Sequence, residues 1–335
     1  MKTSDYYLAP DRVWSEYDGA PGGASLTAMC GELFSQQIFN WQEFAVAHMA
    51  MKGAWLREIT SGPHTILVQF NQGRSVSATA ALDEETIRNR PCFLCPHQLP
   101  AAQKGVLYGQ DFLILVNPHP IFSPHYTVVH VRHEPQELEG YIGALLALSR
   151  DLGPAFTVFY NGPRCGASAP DHHHFQVCPS GMLPVEKAWE EVERDIVYGD
   201  GEGLSFGVLR LPGRNALFME GKAPEALETF LKRLVGAMRE VLGSLDEPML
   251  NLICTQKEGK WRLLLFPRRK HRPDAYYREG ESSVLVTPGA VEMGGVLITI
   301  REEDFLKMTA ALAEDLYREV SQPPEVIEEI LNRIR

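Results

Sequence analysis

The chain has 335 residues, 44% hydrophobic and 22% charged, the make-up of an ordinary globular protein with one large domain or two medium ones. A net charge of −11 argues against a general nucleic-acid binder, and no run of about 18 apolar residues is present to span a membrane. Residues 1–10 are polar and lack the apolar core of a signal peptide, and the six cysteines are scattered apart from one close pair, so reduced thiols and a cytoplasmic location are expected.

Taken in order, residues 1 to about 22 read as irregular. From Ser25 to Met51, Leu26, Cys30, Leu33, Phe34, Ile38, Trp41 and Phe44 recur at three- and four-residue spacing, which predicts a helix packing on a core. His64–Phe70 and Ser75–Ala80 read as strands of a hairpin around Asn71-Gln72-Gly73-Arg74. Cys92-Phe93-Leu94-Cys95 is the close thiol pair, with the spacing that clasps one tetrahedral ion or forms a redox couple. Phe112–Val116 and His125–Val131 predict buried strands separated by Asn117-Pro118-His119-Pro120, and Pro135–Leu152 predicts an amphipathic helix.

Phe156–Tyr160 predicts another strand, followed by a loop of small and turn-forming residues, Asn161-Gly162-Pro163-Arg164-Cys165-Gly166-Ala167-Ser168. Backbone N–H groups at Asn161, Gly166 and Ala167, with the Ser168 hydroxyl, make a candidate phosphate cradle. Asp171-His172-His173-His174-Phe175-Gln176 follows. On a strand, residues two apart share a face, which would set His172, His174 and Gln176 in one row and His173 and Phe175 in the other. Residues 92–180 thus read as one β-β-α-β-β unit. Beyond it, Ser205–Leu211, Asn215–Met219, Leu250–Thr255, Trp261–Phe266, Ser283–Val286 and Val291–Ile300 predict strands. Helices are predicted at Pro224–Leu242 and at about 302–320 and 324–334. This region holds a single histidine, His271, so it has no second pair of the His-x-His kind. The cluster Arg268-Arg269-Lys270-His271-Arg272 is a local positive patch, from which Arg268 and Lys270 are the favoured phosphate contacts.

Asn-Gly-x(3)-Gly-Ala-Ser-x(3)-His-x-His-x-Gln resembles the signature of the transferase branch of the histidine triad superfamily. That branch holds the galactose-1-phosphate uridylyltransferases, the dinucleoside tetraphosphate phosphorylases and the GDP-hexose phosphorylases. Gln69–Arg74, Leu183–Ala188, Leu265–Arg268 and Pro288–Gly295 are similar to segments of the GDP-hexose phosphorylases. The resemblance implies an α+β fold of two histidine-triad-like halves, antiparallel sheets with covering helices, only the first half being catalytic. It divides the chain into an extension at 1–84, a catalytic half at 85–200 and a degenerate half at 201–335.

It implies His174 as a nucleophile forming a nucleotidyl-histidine, assisted by Gln176, His172 and Ser168, with Asn71, Arg74 and Asn117 as further ligand contacts. It also implies a structural zinc site of Cys92, Cys95, His133 and His172, although spacing alone leaves His97, His130 and His173 in competition. The expected activity is a nucleotidyltransferase or phosphorylase acting on a nucleoside-diphosphate sugar, GDP-hexose favoured, or a dinucleoside polyphosphate, with phosphate or a sugar phosphate as acceptor. The alternatives are a hydrolase of the same bonds and a non-catalytic nucleotide- or zinc-binding protein. The expected state is a monomer or a homodimer.

Overall fold

Phe112-Leu113-Ile114-Leu115-Val116 is buried at every position, because it runs inside a sheet covered on both faces. A computed structural model of the protein describes residues 8–75, 83–192, 194–199 and 203–335. The strands, in chain order, are β1 (Val13–Tyr17), β2 (Trp55–Ser61), β3 (His64–Phe70), β4 (Gly105–Tyr108), β5 (Phe112–Val116), β6 (Tyr126–His130) and β7 (Phe156–Asn161). They continue as β8 (His174–Pro179), β9 (Arg194–Gly199), β10 (Ser205–Leu211), β11 (Arg214–Gly221), β12 (Leu250–Lys257), β13 (Lys260–Pro267) and β14 (Val296–Thr299).

Eleven of them form one sheet in the order β1-β4-β5-β6-β8-β7-β12-β13-β11-β10-β9. Strands up to β8 and strands from β9 onward join in its middle, where β7 pairs antiparallel with β12 and Asn161 lies opposite Asn251. A second sheet, β14-β3-β2, covers part of one face. The helices are α1 (Leu26–Asn40), α2 (Gln42–Lys52), α3 (Glu84–Asn89), α4 (Ile142–Leu152), α5 (Pro184–Glu191) and α6 (Pro224–Leu242). They are followed by α7 (Ala290–Met293), α8 (Glu302–Lys307), α9 (Ala310–Val320) and α10 (Pro324–Ile334). Helices α1, α4, α6 and α10 share a core with one face of the large sheet. The small sheet, α5, α7 and α9 share another core with the opposite face. The architecture is α+β, helices covering both faces of the large sheet.

Several elements depart from expectation. The helical stripe from Ser25 is two helices, broken at Trp41, whose backbone is extended (φ −128°). Strand β3 pairs with β2, which precedes it, across the Ser61–His64 turn. Residues 72–74 are a 3-10 turn, and 76–80 of the expected hairpin lie outside the described residues. Val284 and Val286 are buried without joining a sheet; Val286 N–H bonds back to the Val284 carbonyl instead. The apolar run from Val291 divides into α7 and β14, and β14 crosses to pair parallel with β3. In both places burial supplied the apolar signal, and it does not distinguish a strand from a packed loop or a short helix.

Candidate active site

Strand β8 starts at His174, so His172 precedes the strand rather than sharing its face. The main chain of His173 is still occupied there, donating to Glu134 O at 2.6 Å and accepting from His130 N–H at 3.0 Å. Beside this start a cavity of about 210 Å³ opens between the large sheet and the small one. His174, Gln176, Asn117, Asn161, Gly166, Ser168 and Arg74 line it. Phe93, Leu94, Leu99, Leu115, Ile121 and Phe159 add apolar wall, and Thr287, Gly289, Val291, Glu292 and Ile298 contribute from the end of the chain.

His174 is held at three points. Its N–H donates to Gln136 Oε1 at 2.8 Å, while Gln136 Nε2 donates to the carbonyls of His174 at 3.0 Å and Asn161 at 2.9 Å. Its Nδ1–H donates to the His172 carbonyl at 2.8 Å. That bond sets the tautomer, so Nε2 keeps its lone pair, and Nε2 has no partner among the described residues. Burial pushes the imidazole down to about 4, which keeps it neutral near pH 7.

Gln176 is oriented by a residue the motif does not contain. His125 Nδ1 accepts from Ile121 N–H at 3.2 Å, so its Nε2–H is the donor to Gln176 Oε1 at 3.0 Å. With its oxygen engaged, the Gln176 amide presents N–H donors. Burial lowers His125 to about 3, which keeps this tautomer uncharged.

The small-residue loop is tied to the second part of the chain. Asn161 Oδ1 accepts from Ala290 N–H at 2.7 Å and from Asn251 Nδ2 at 2.9 Å, and Asn251 Nδ2 also donates to Cys165 O at 2.7 Å. A Cβ on Gly166 (φ +106°) would meet Gly289 Cα at 2.7 Å, so the approach requires glycine.

The expected residues do not all reach the cavity. Arg268 is buried beneath it: Nη1 donates to Asn251 Oδ1 and to Pro288 O, and Nε to Val320 O at 3.1 Å. Lys270 pairs with Asp274 at 2.6 Å, Ala167 is buried in the loop, and none of the three lines the cavity. Asn71 donates to Gln69 Oε1 and Pro120 O, each at 3.2 Å, and Arg74 to His119 O at 2.8 Å, so both fasten the 117–121 turn and only Arg74 also lines the cavity.

His172 lies in a separate cluster with Cys92, Cys95 and His133, whose donor atoms all fall within 4.8 Å of one another. Sulfur–nitrogen separations are 3.4 Å (Cys92–His172), 3.6 Å (Cys95–His172) and 3.2 Å (Cys95–His133). Tetrahedral zinc with ordinary Zn–S and Zn–N lengths sets S···N edges of about 3.6 Å. His172 Nε2–H donates to His130 O at 2.7 Å, which leaves Nδ1 bare towards the thiols. The hydrogen bond from Cys95 holds the Cys92 thiol well below the ordinary thiol range. The cluster can hold a metal ion. His97 and His130 are outside it, and His173 is stacked on Tyr141 at 3.7 Å on the opposite side.

Gln136, His125 and Asn251 are the site residues that sequence reasoning missed. Asn251 stands alone in the apolar run Leu250–Ile253, which is a weak signal; Gln136 and His125 carry none.

Residues 33–179 match a domain family described as a domain of unknown function, DUF4922. No curated protein sequence matches the chain. Among solved structures, yeast Ap4A phosphorylase Apa2 in complex with AMP is similar at a TM-score of 0.52 and 16% identity, covering 87% of this chain and 97% of that one. The same yeast protein in complex with Ap4A is similar at a TM-score of 0.51, with the same identity and coverage. The likeness is one of fold.

Proposed function

We propose that this chain is a nucleotidyltransferase of the phosphorylase type, cleaving a nucleoside-diphosphate sugar through a nucleotidyl-histidine at His174. The observation that carries the reading is the neutral His174 ring, with Nδ1–H spent on the His172 carbonyl and Nε2 unpartnered at the cavity. In the first step Nε2 attacks the α-phosphorus, a P–N bond forms, and the bridging P–O bond breaks to release a sugar phosphate. In the second, a phosphate oxygen attacks the same phosphorus, the P–N bond breaks, and a nucleoside diphosphate leaves. Gln176 N–H, the Ser168 hydroxyl and loop N–H groups hold non-bridging oxygens as the geometry changes.

The apolar wall from Phe93 to Leu115 suits a nucleobase. Glu292, which lines the cavity and accepts from Gly289 N–H at 2.8 Å, suits sugar hydroxyls better than a further phosphate. That supports a sugar nucleotide, GDP-hexose first, over a dinucleoside polyphosphate; the likeness to an Ap4A phosphorylase keeps the latter in the assay. In this reading residues 85–200 carry the chemistry, 201–335 close the cavity, and 1–84 brace the 117–121 turn.

We infer that zinc is the ion held by Cys92, Cys95, His133 and His172. The donor set supports it, and four protein ligands leave no open position, so the ion when bound supplies a cross-link. The test is incubation with labelled GDP-, UDP- and ADP-sugars and Ap4A, with and without phosphate. Phosphate-dependent release of nucleoside diphosphate is expected. Nucleoside monophosphate released without phosphate indicates a hydrolase, and nucleotide binding without turnover a binding protein. Zinc below about half an equivalent after chelator-free purification would argue against the metal assignment.

A further inference from the structure

A second cavity, also of about 210 Å³, lies at the other end of β3, between that strand, α5 and the β10–β11 turn. Arg214 lines it and is only 6% exposed. Its Nε donates to Met293 O at 2.8 Å, Nη1 to Pro212 O at 3.4 Å, and the guanidinium stacks on Tyr317 at 3.8 Å. No carboxylate among the described residues pairs with it, and Nη2 has no hydrogen-bond partner among them. His64 lines the same cavity; its Nδ1 is buried and unpartnered, and its neighbour Arg214 joins burial in lowering its basicity. The acidic residues lining the cavity, Glu58 and Glu191, are exposed, and Glu191 is paired with Lys187 at 3.6 Å.

A guanidinium without a counter-charge is expensive to bury, and two carbonyls with a ring face offset only part of that cost. For packing alone, methionine would fill the volume without it. Planar guanidinium donors beside a ring nitrogen match an oxyanion, which would take the free Nη2 and a His64 N–H together. We propose that this cavity binds a small oxyanion, a carboxylate or a phosphate group, held between Arg214 and His64. The site is independent of the reading of the first cavity.

The probes are inorganic phosphate and malonate, titrated calorimetrically into the full chain and soaked into its crystals. The expected result is an oxyanion within hydrogen-bond distance of Arg214 and His64. His64→Ala, which removes no internal hydrogen bond, should weaken this binding about tenfold, the loss of one charge-assisted contact, without moving the melting temperature. Arg214→Met should abolish it and also lower the melting temperature, since two carbonyls lose their donor. Preference for phosphate or malonate identifies the anion class. Ser168→Ala separates the two cavities. If it removes all anion binding and His64→Ala removes none, the second site is refuted. If binding responds to His64→Ala alone, the second site stands whatever becomes of the first.

Discussion

Two buried polar clusters brace the cavity from opposite sides, and they are completed differently. Cys92, Cys95, His133 and His172 bring together four donors of the metal-binding kind that the protein alone leaves unbalanced. Arg268 carries its own charge into the opposite side and is satisfied by Asn251 and by carbonyls of Pro288 and Val320. Neither cluster acts on a ligand through its own side chains. The first ends on the His172 carbonyl, which sets the His174 tautomer; the second ends on Asn161, which sets the small-residue loop. The difference teaches that the candidate groups are aimed through the main chain, on one side by a cluster that can hold an ion and on the other by a guanidinium satisfied within the protein.

The largest expected effect removes the point where both clusters converge. His174→Asn should lower turnover by at least about 10³-fold and eliminate any acid-labile nucleotide adduct, read by rapid quench, while the melting temperature holds. Retained activity would mean that the nucleophile is misassigned.

Arg268→Met should cost about 3–5 kcal/mol in denaturant unfolding, because Asn251 Oδ1 and Pro288 O lose a buried charged donor. This loss should be the same with and without chelator. Chelation, or Cys92→Ser, should instead lower the melting temperature by roughly 5–10 °C in wild type. A chelation effect absent from wild type, or an Arg268→Met loss that changes with chelator, would remove the distinction between the two clusters.

A smaller effect is expected from His125→Ala. With Oε1 released, the Gln176 amide can turn over, and turnover should fall about tenfold, while the loss of the acceptor for Ile121 N–H should lower stability by about 1–3 kcal/mol. An unchanged rate would separate Gln176 orientation from catalysis.

The smallest effect concerns a third fastening of the loop. Glu247 accepts from Tyr160 O–H at 2.7 Å and Leu138 N–H at 2.6 Å, and burial raises its carboxyl from 4.5 to about 7. The folded state therefore holds this proton more tightly than the unfolded chain, so its contribution is full below about pH 4.5 and is lost as pH rises through 7. Denaturant titrations across that window should show wild type losing stability relative to Glu247→Gln. Parallel curves would remove the carboxyl from the account.

Much of the site was legible because its chemistry is local. The spacing of His172, His174 and Gln176, the small residues before them and the Cys92–Cys95 pair can all be read along the chain. Arg268 was legible as a charge but not as a buried one. A basic run after a strand looks the same whether it faces solvent or lies under a loop, and only the packing of β13 against the 288–290 segment decides. Gln136 and His125 carry no local signature, because their partners lie 38 and 51 residues away.

By itself the sequence marked the candidate nucleophile, the thiol pair and most of the large sheet's strands, since periodicity and short motifs depend on near neighbours. Tertiary structure decided which nitrogen of His174 is free, which way Gln176 donates, and that residues 287–298 close a cavity opened by residues 93–176. Those are relations between segments distant in the chain, settled by hydrogen bonds that no local spacing encodes.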